Sequence, residues 1–426
     1  MSKIEVKPGM FSQVEVKPSI KTPLVMLGIA LVVFFGFGLF GKSGEVHFVW
    51  SDKGEIIQLP EFTTNSMMFC QLIGAILLVI GLIAVVLNRR EISTPIWLTA
   101  IYGLAAVMAL LGWLATGASQ GVQMVFILSN TLLLAIPLIF GGMAGIMSER
   151  VGVVNIAIEG QLLTGAFASA VVGSITGNLY LGLVAAMIAA GVLSIVLASL
   201  AIKYLVDQII IGVLLNVLVV GITNFLYSAW LDNDLQHLDY PGTFPRIAIP
   251  FLSDIPVLGQ VLFNNRITVY MMFLIVPALW FLLFKTKLGL RARSVGEHPL
   301  AADTVGINVA RTRFWWVTIG GMIAGLGGAA LTIGNVGPFG RDMSGGQGFI
   351  ALAVVILGRW QPIYVMLSAL LFGFTIILRV WANQVSPGIP VDLITMVPYL
   401  VTLIAVAGFA GKVRAPAASG QPYIKG

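Results

Sequence analysis

Glu159 and Asn155 stand four residues apart in an apolar stretch, a spacing that puts both on one face of a helix. A carboxylate at membrane depth is costly unless it is paired or wet, so Glu159 is expected to face a bundle interior or a water-filled path. Three readings stay open: a group lining a pore and meeting a solute, an interhelical bond that fixes the fold, or a group wetted at the mouth. Gln161 belongs to the same stretch, and Asn130, Thr131, Asn216, Thr223, Asn224, Thr332, Asn335 and Gln347 are further polar residues among apolar ones. Uncharged donors and acceptors suit an uncharged polar solute; each also serves as glue between helices. Arg379 can snorkel outward, pair with Asp392 or touch a solute.

Other chemistries find no residues to carry them. No G-x-x-x-x-G-K-[ST] phosphate loop occurs, so the chain is expected not to bind ATP through one. His47, His237 and His298 are scattered without metal-ligand spacing, and no Ser/His/Asp set suggests hydrolysis. Neither a metal nor a cofactor is expected, nor an enzymatic role. The single cysteine, Cys70, excludes an intrachain disulfide.

The elements that must position these residues are membrane helices. Of 426 residues, 58% are hydrophobic and 10% charged, against about a quarter charged in soluble domains. Twelve apolar stretches are candidate spans: 24–41, 67–87, 96–115, 122–147, 151–173, 178–202, 208–230, 267–285, 314–333, 345–358, 362–381 and 391–411. All are expected to be helices, because open strands leave unpaired backbone groups in lipid. The fold class is therefore all-α, polytopic and multi-pass. The first stretch has a long charged leader and no small-residue cleavage site, so it reads as a retained span rather than a signal peptide. The stretch 345–358 is short and glycine-flanked, as for a half-helix ending inside the membrane. With the N-terminus inside, eighteen of the Lys and Arg residues fall on the cytoplasmic side and five outside (Lys42, Lys53, Arg246, Arg266 and Arg341), with Arg379 in a span. That asymmetry follows the positive-inside rule and favours both termini in the cytoplasm. The net charge of +6 is then topological and implies no nucleic-acid partner.

Organisation follows from this. Residues 1–23 form a cytoplasmic segment, 24–95 a two-span extension, 96–411 a ten-span core and 412–426 a cytoplasmic tail, with a polar connector at 286–313. The core reads as an inverted repeat, its halves carrying similar patches, Gly141-Gly142-Met143-Ala144-Gly145 and Gly320-Gly321-Met322-Ile323-Ala324-Gly325. Packing through small residues explains the same patches. The outside loop from Leu231 to Arg266 reads as a docking surface or as a connector with an interfacial helix near Phe251–Leu262.

Two motifs carry a family resemblance. The connector from Leu288 to Ile307 is basic, amphipathic and broken by Gly289, Gly296, Pro299 and Gly306. It resembles the ATPase-contacting loop of ABC importer permeases in the branched-chain amino acid, simple-sugar and nucleoside family. The run Ser148-Glu149-Arg150-Val151-Gly152-Val153-Val154-Asn155-Ile156-Ala157-Ile158-Glu159-Gly160-Gln161 is similar to the signature of the nucleoside-type members. The resemblance implies a nucleoside importer subunit in the bacterial cytoplasmic membrane. Its implied partners are separate ATPase subunits, an extracellular substrate-binding lipoprotein and a second, related permease chain. It places the coupling surface on Arg291, Gly296, Glu297, His298, Pro299, Ala301, Ala302, Asp303 and Gly306. Proline suits the start of that helix, small alanines admit a partner, and Lys285, Lys287, Arg311 and Arg313 flank it at the surface. A sugar or amino-acid permease is the alternative within the class. Outside it stand an ion-coupled transporter using Glu159 and an intramembrane enzyme.

Overall fold

The computed structural model describes residues 20–51, 57–232, 234–385, 396 and 414–424. It divides into two compact units, one formed by residues up to Trp50 and by Leu59–Gln123, the other almost entirely by residues from Met124 onward.

In the first unit, helix α1 (Lys21–Leu31) continues in wider π turns to Leu39 and packs with α2 (Ser66–Arg89) and α3 (Ile96–Leu114). Tyr102 reaches from α3 to donate its hydroxyl to the Met26 carbonyl of α1. A small sheet closes the unit, and its third strand takes the first two residues of the candidate span 122–147. β1 (Glu45–Val49) pairs antiparallel with β2 (Phe62–Asn65) and parallel with β3 (Val122–Gln123). Its basis is a period of two: Val46 and Phe48 are buried while their neighbours turn outward.

The second unit runs through α4 (Met124–Glu149), α5 (Ile158–Thr176), α6 (Leu179–Ala198), α7 (Gln208–Leu226) and two short helices, α8 (Leu235–Leu238) and α9 (Leu258–Leu262). It continues with α10 (Ile267–Lys285), α11 (Lys287–Glu297), α12 (Pro299–Thr304), α13 (Val309–Leu331), α14 (Gln347–Leu357) and α15 (Pro362–Val385). Polar caps set several starts: Asn178, Asp207 and Asn308 accept first-turn amides of α6, α7 and α13. Among the described residues, ten helices are long and apolar enough to cross a membrane. The stretch 345–358 forms only the eleven-residue α14, and 391–411, residue 396 excepted, lies outside the described residues.

The glycine patches pack crosswise. A Cβ at Gly141 or Gly145 of α4 would lie 2.9 Å from Ala351 or Val355 of α14, and one at Gly142 would lie 2.6 Å from Val365 of α15. In α13, Gly321 abuts Ser194 of α6, Gly325 abuts the Ala186 carbonyl of α6, and Gly328 abuts the Leu162 carbonyl of α5. The glycines of α4 thus seat α14 and α15, and those of α13 seat α5 and α6. Small residues are required there because neighbouring side chains on the α4 side, and largely backbone on the α13 side, fill the space a Cβ would need.

Candidate functional site

The apolar stretch 151–173 does not begin as a helix. After α4 the chain turns at Gly152 (φ +86) and stays non-helical to Ala157, so Asn155 precedes α5 and does not share a helix face with Glu159. Only glycine fits at 152, where a Cβ would come within 2.9 Å of Arg313 Nη2 and of the Ala418 carbonyl. Buried side chains then satisfy the interrupted backbone, as an apolar interior demands. Gln208 accepts the Val154 N–H at 2.7 Å. Asn216 accepts the Gly160 N–H at 2.8 Å and donates to the Ile156 carbonyl at 2.9 Å. Asn155 bonds Gln161 at 3.1 Å, and Gln161 donates to Ser194 at 2.9 Å.

Glu159 lies in the first turn of α5, 7% exposed, and meets the first turn of a second helix. Its Oε1 accepts from Ser344 Oγ at 2.6 Å and from the Gly346 N–H at 2.8 Å; its Oε2 accepts from the Gly348 N–H at 2.6 Å. Gly346, the residue before α14, holds φ +82, and a Cβ at Gly348 would lie 2.3 Å from the Glu159 backbone nitrogen. Two helix N-termini therefore meet at one carboxylate. Each carries a positive partial charge and unpaired N–H groups, and an anion between them answers both.

Eleven residues give α14 a length of about 16 Å, half a hydrocarbon core. Its far end is also anchored. Trp360 donates its indole N–H to Glu149, while its carbonyl accepts from Arg150 Nε at 3.2 Å and Nη2 at 3.0 Å. Arg359 and Trp360 both hold φ +52 to make this turn.

At this same end lies the connector. A Cβ at Gly296 would lie 2.2 Å from the Arg150 carbonyl, so α11 is seated on the turn that leads to Glu159. The segment Arg414–Ile424 binds the pieces together. Ala418 N–H donates to the Gly296 carbonyl at 2.9 Å, Gly420 N–H to the Gly152 carbonyl at 3.2 Å, and Arg313 Nη1 to the Gln421 carbonyl at 2.9 Å. Arg313, expected as a surface flank, is only 2% exposed because it is enclosed between the Gly152 turn and this segment.

Pro299 opens a helix as expected, but the connector residues divide in two. Gly296 and Ala302 face inward, Ala302 at 2% exposure, because the first packs on the Arg150 turn and the second on the Val309 cluster. Arg291, Glu297, His298, Ala301 and Gly306 are exposed, as are Leu300 (65%) and Val305 (75%), while Pro299 and Asp303 are half-buried.

Hydrogen bonds join Gln161 to Asn155, and Asn216 to the backbone at Ile156 and Gly160; they do not bring in Asn130, Asn224 or Asn335. Asn130 donates to the Phe126 carbonyl of its own helix, the Asn335 carbonyl accepts from Arg266, and Asn224 Oδ1 is buried without a partner among the described residues. The glycine pair Gly345-Gly346 ahead of a short apolar run marked this half-helix in the sequence, but Ser344, Gly348 and Trp360 were not among the expected site residues.

Two helices that begin inside a bundle and meet at a buried acid, linked to an exposed polar connector, form the architecture of a transporter's membrane subunit. The chain belongs to the family described as the permease component of branched-chain amino acid transport systems, whose model matches residues 127–406. It is 41% identical to the guanosine ABC transporter permease protein NupQ of Bacillus subtilis, over 70% of this chain and 97% of that protein. It is 37% identical to the nucleoside ABC transporter permease protein NupC of Lactococcus lactis, over 70% and 96%. A putative glucose ABC transporter permease protein of Haloferax volcanii, TsgC13, is 33% identical over 67% and 91%. No solved structure matches the chain. The protein is a multi-pass permease of the bacterial cytoplasmic membrane.

Proposed function

We propose that this chain is the membrane subunit of an ABC importer for nucleosides, with ATP hydrolysed by separate cytoplasmic subunits. The carrying observation is the seat of Gly296 on the Arg150 carbonyl, which joins the connector to the turn preceding Glu159. Force applied to the connector reaches the junction of α5 and α14 through backbone contact, with Arg414–Ile424 stiffening the joint. The connector end is the cytoplasmic end, in keeping with the Lys and Arg bias, and both termini lie there. The docking face is Leu300, Ala301, Thr304 and Val305, the exposed residues of α12 and its end. A binding lipoprotein delivers substrate outside, and a second, related permease completes the pathway.

The nucleoside substrate is supported by the names of two relatives and by the Ser148–Gln161 motif that resembles the nucleoside branch. Glu159 has a structural role in this reading: both of its oxygens are already engaged, which leaves little room for the ion exchange of a secondary transporter. Asn224 and Gln347, each with a buried oxygen that has no partner among the described residues, are candidates for meeting a polar solute.

The test is radiolabelled guanosine uptake by the reconstituted complex with and without ATP. ATP-dependent uptake that excess nucleoside blocks and excess glucose or leucine does not is the expected result; blockade by glucose alone reassigns the substrate. In the same system Ala301→Arg should insert and fold normally yet lose most co-purification of the ATPase, since position 301 is exposed. Undiminished association and uptake would remove α12 as the docking face.

A further inference from the structure

Beside the connector lies a cavity of about 610 Å³ whose lining combines two guanidinium groups with an apolar floor. Arg291 of α11 and Arg311 of α13 contribute the charge; Leu288, Trp315 and Trp316 contribute most of the apolar surface, with Val305 at the border shared with the docking face. Among the described residues no acidic side chain lines it. The arginines nearby are engaged elsewhere: Arg293 lies over the Phe284 ring at 5.2 Å, and Arg313 holds the Gln421 carbonyl. Arg291 and Arg311, by contrast, are exposed and form no ion pair among the described residues.

Depth indicates what fits. Arg311 is in the first turn of the spanning helix α13, and Trp315 follows it by one turn on the same face, 51% exposed. Successive turns are about 5.4 Å apart along the helix axis, so the pair presents a cation and, one turn deeper, an indole. Leu288 and Arg291 repeat the pairing at a spacing of three on α11, with Leu288 58% exposed. A phosphate held by two guanidinium forks with acyl chains running past Trp315 satisfies both levels. A soluble subunit would reach the charges but not the indoles inside a spanning helix.

We propose that this cavity is a binding site for an anionic phospholipid, which holds α11 of the connector against the start of α13. The proposal rests on the connector end facing the cytoplasmic leaflet but not on the identity of the transported solute.

The purified full chain, stripped of lipid in detergent, would be titrated with phosphatidylglycerol carrying brominated acyl chains, and with the matching phosphatidylcholine, while tryptophan fluorescence is read. Tighter binding of the anionic lipid, by about tenfold or more, is expected for two cations near a phosphate, with quenching reduced in Trp315→Phe. The Arg291→Gln/Arg311→Gln double variant should lose the preference, and Arg291→Lys/Arg311→Lys should keep part of it. Equal binding of the two lipids, or an unchanged preference in the glutamine variant eluting as folded protein, overturns the site. Full competition by glycerol phosphate alone would show headgroup capture without the acyl contacts and overturn the lipid assignment. Displacement of bound lipid by the ATPase subunits would reassign the cavity to protein docking.

Discussion

At its first turn α14 rests on Glu159, which accepts three hydrogen bonds; at its far end Glu149 accepts one, from the Trp360 indole. The two acids are ten residues apart in the chain, yet they meet opposite poles of one short helix. A helix start offers several unpaired N–H groups and a positive dipole end, so two of the three donors to the carboxylate there are backbone amides, with the Ser344 hydroxyl as the third. A helix end offers carbonyls, which call for donors and positive charge, and Arg150 supplies both to the Trp360 carbonyl. Glu149 is then only an auxiliary anchor on a side chain. The comparison assigns more of the stability of the α5–α14 junction to Glu159 than to the Trp360 end.

Glu159→Leu should have the largest effect. It strands three donors, two of them buried, at roughly 1–3 kcal/mol for each buried one, a large part of a stability margin of about 5–15 kcal/mol. The expected outcome is little or no monodisperse protein on size exclusion. Glu159→Gln should be intermediate: its oxygen still serves Ser344 and Gly346, but its NH₂ opposes the Gly348 N–H, for a loss of about 1–3 kcal/mol. A lower melting temperature with reduced but measurable uptake is expected. Normal melting with abolished uptake would contradict the structural assignment and favour a charge-dependent role.

Trp360→Phe keeps an aromatic ring but trims the buried indole and removes the one donor to the Glu149 carboxylate among the described residues, and should cost about 1–2 kcal/mol. A melting decrease larger than that of Glu159→Gln would break the comparison between the two ends. The smallest effect is expected at Asp239, a buried loop residue that accepts the Phe339 N–H at 2.7 Å and so braces the strand of chain leading to α14. Burial pushes its carboxyl up to about 6 from an ordinary 3.8. The folded state thus binds this proton more tightly than the unfolded state does. The resulting stability is fully present below pH about 4 and is lost as pH rises through about 6. Asp239→Asn should therefore melt close to wild type at pH 4.5 and slightly above it at pH 7.5. A lower melting temperature at pH 7.5 would mean that the charged form is the stabilising one.

Much of the fold was legible in the sequence because lipid imposes a length and a composition on each crossing. The connector was equally legible, since Pro299 can open a helix but not continue one. Composition could not show where α5 begins. Val151 to Ala157 is as apolar as a span, and only the contact of Gly152 with Arg313 and the Arg414–Ile424 segment reveals a turn there. Nor could it show which connector residues face outward: Ala301 and Ala302 are chemically identical, and their neighbours alone separate a docking face from a core. Sequence by itself determined that Glu159 had to be compensated, because an isolated carboxylate in hydrocarbon is prohibitive. Tertiary structure alone decided by what. Two of the three compensating donors are backbone amides nearly two hundred residues away, and a backbone N–H, common to every residue but proline, leaves no mark in the sequence.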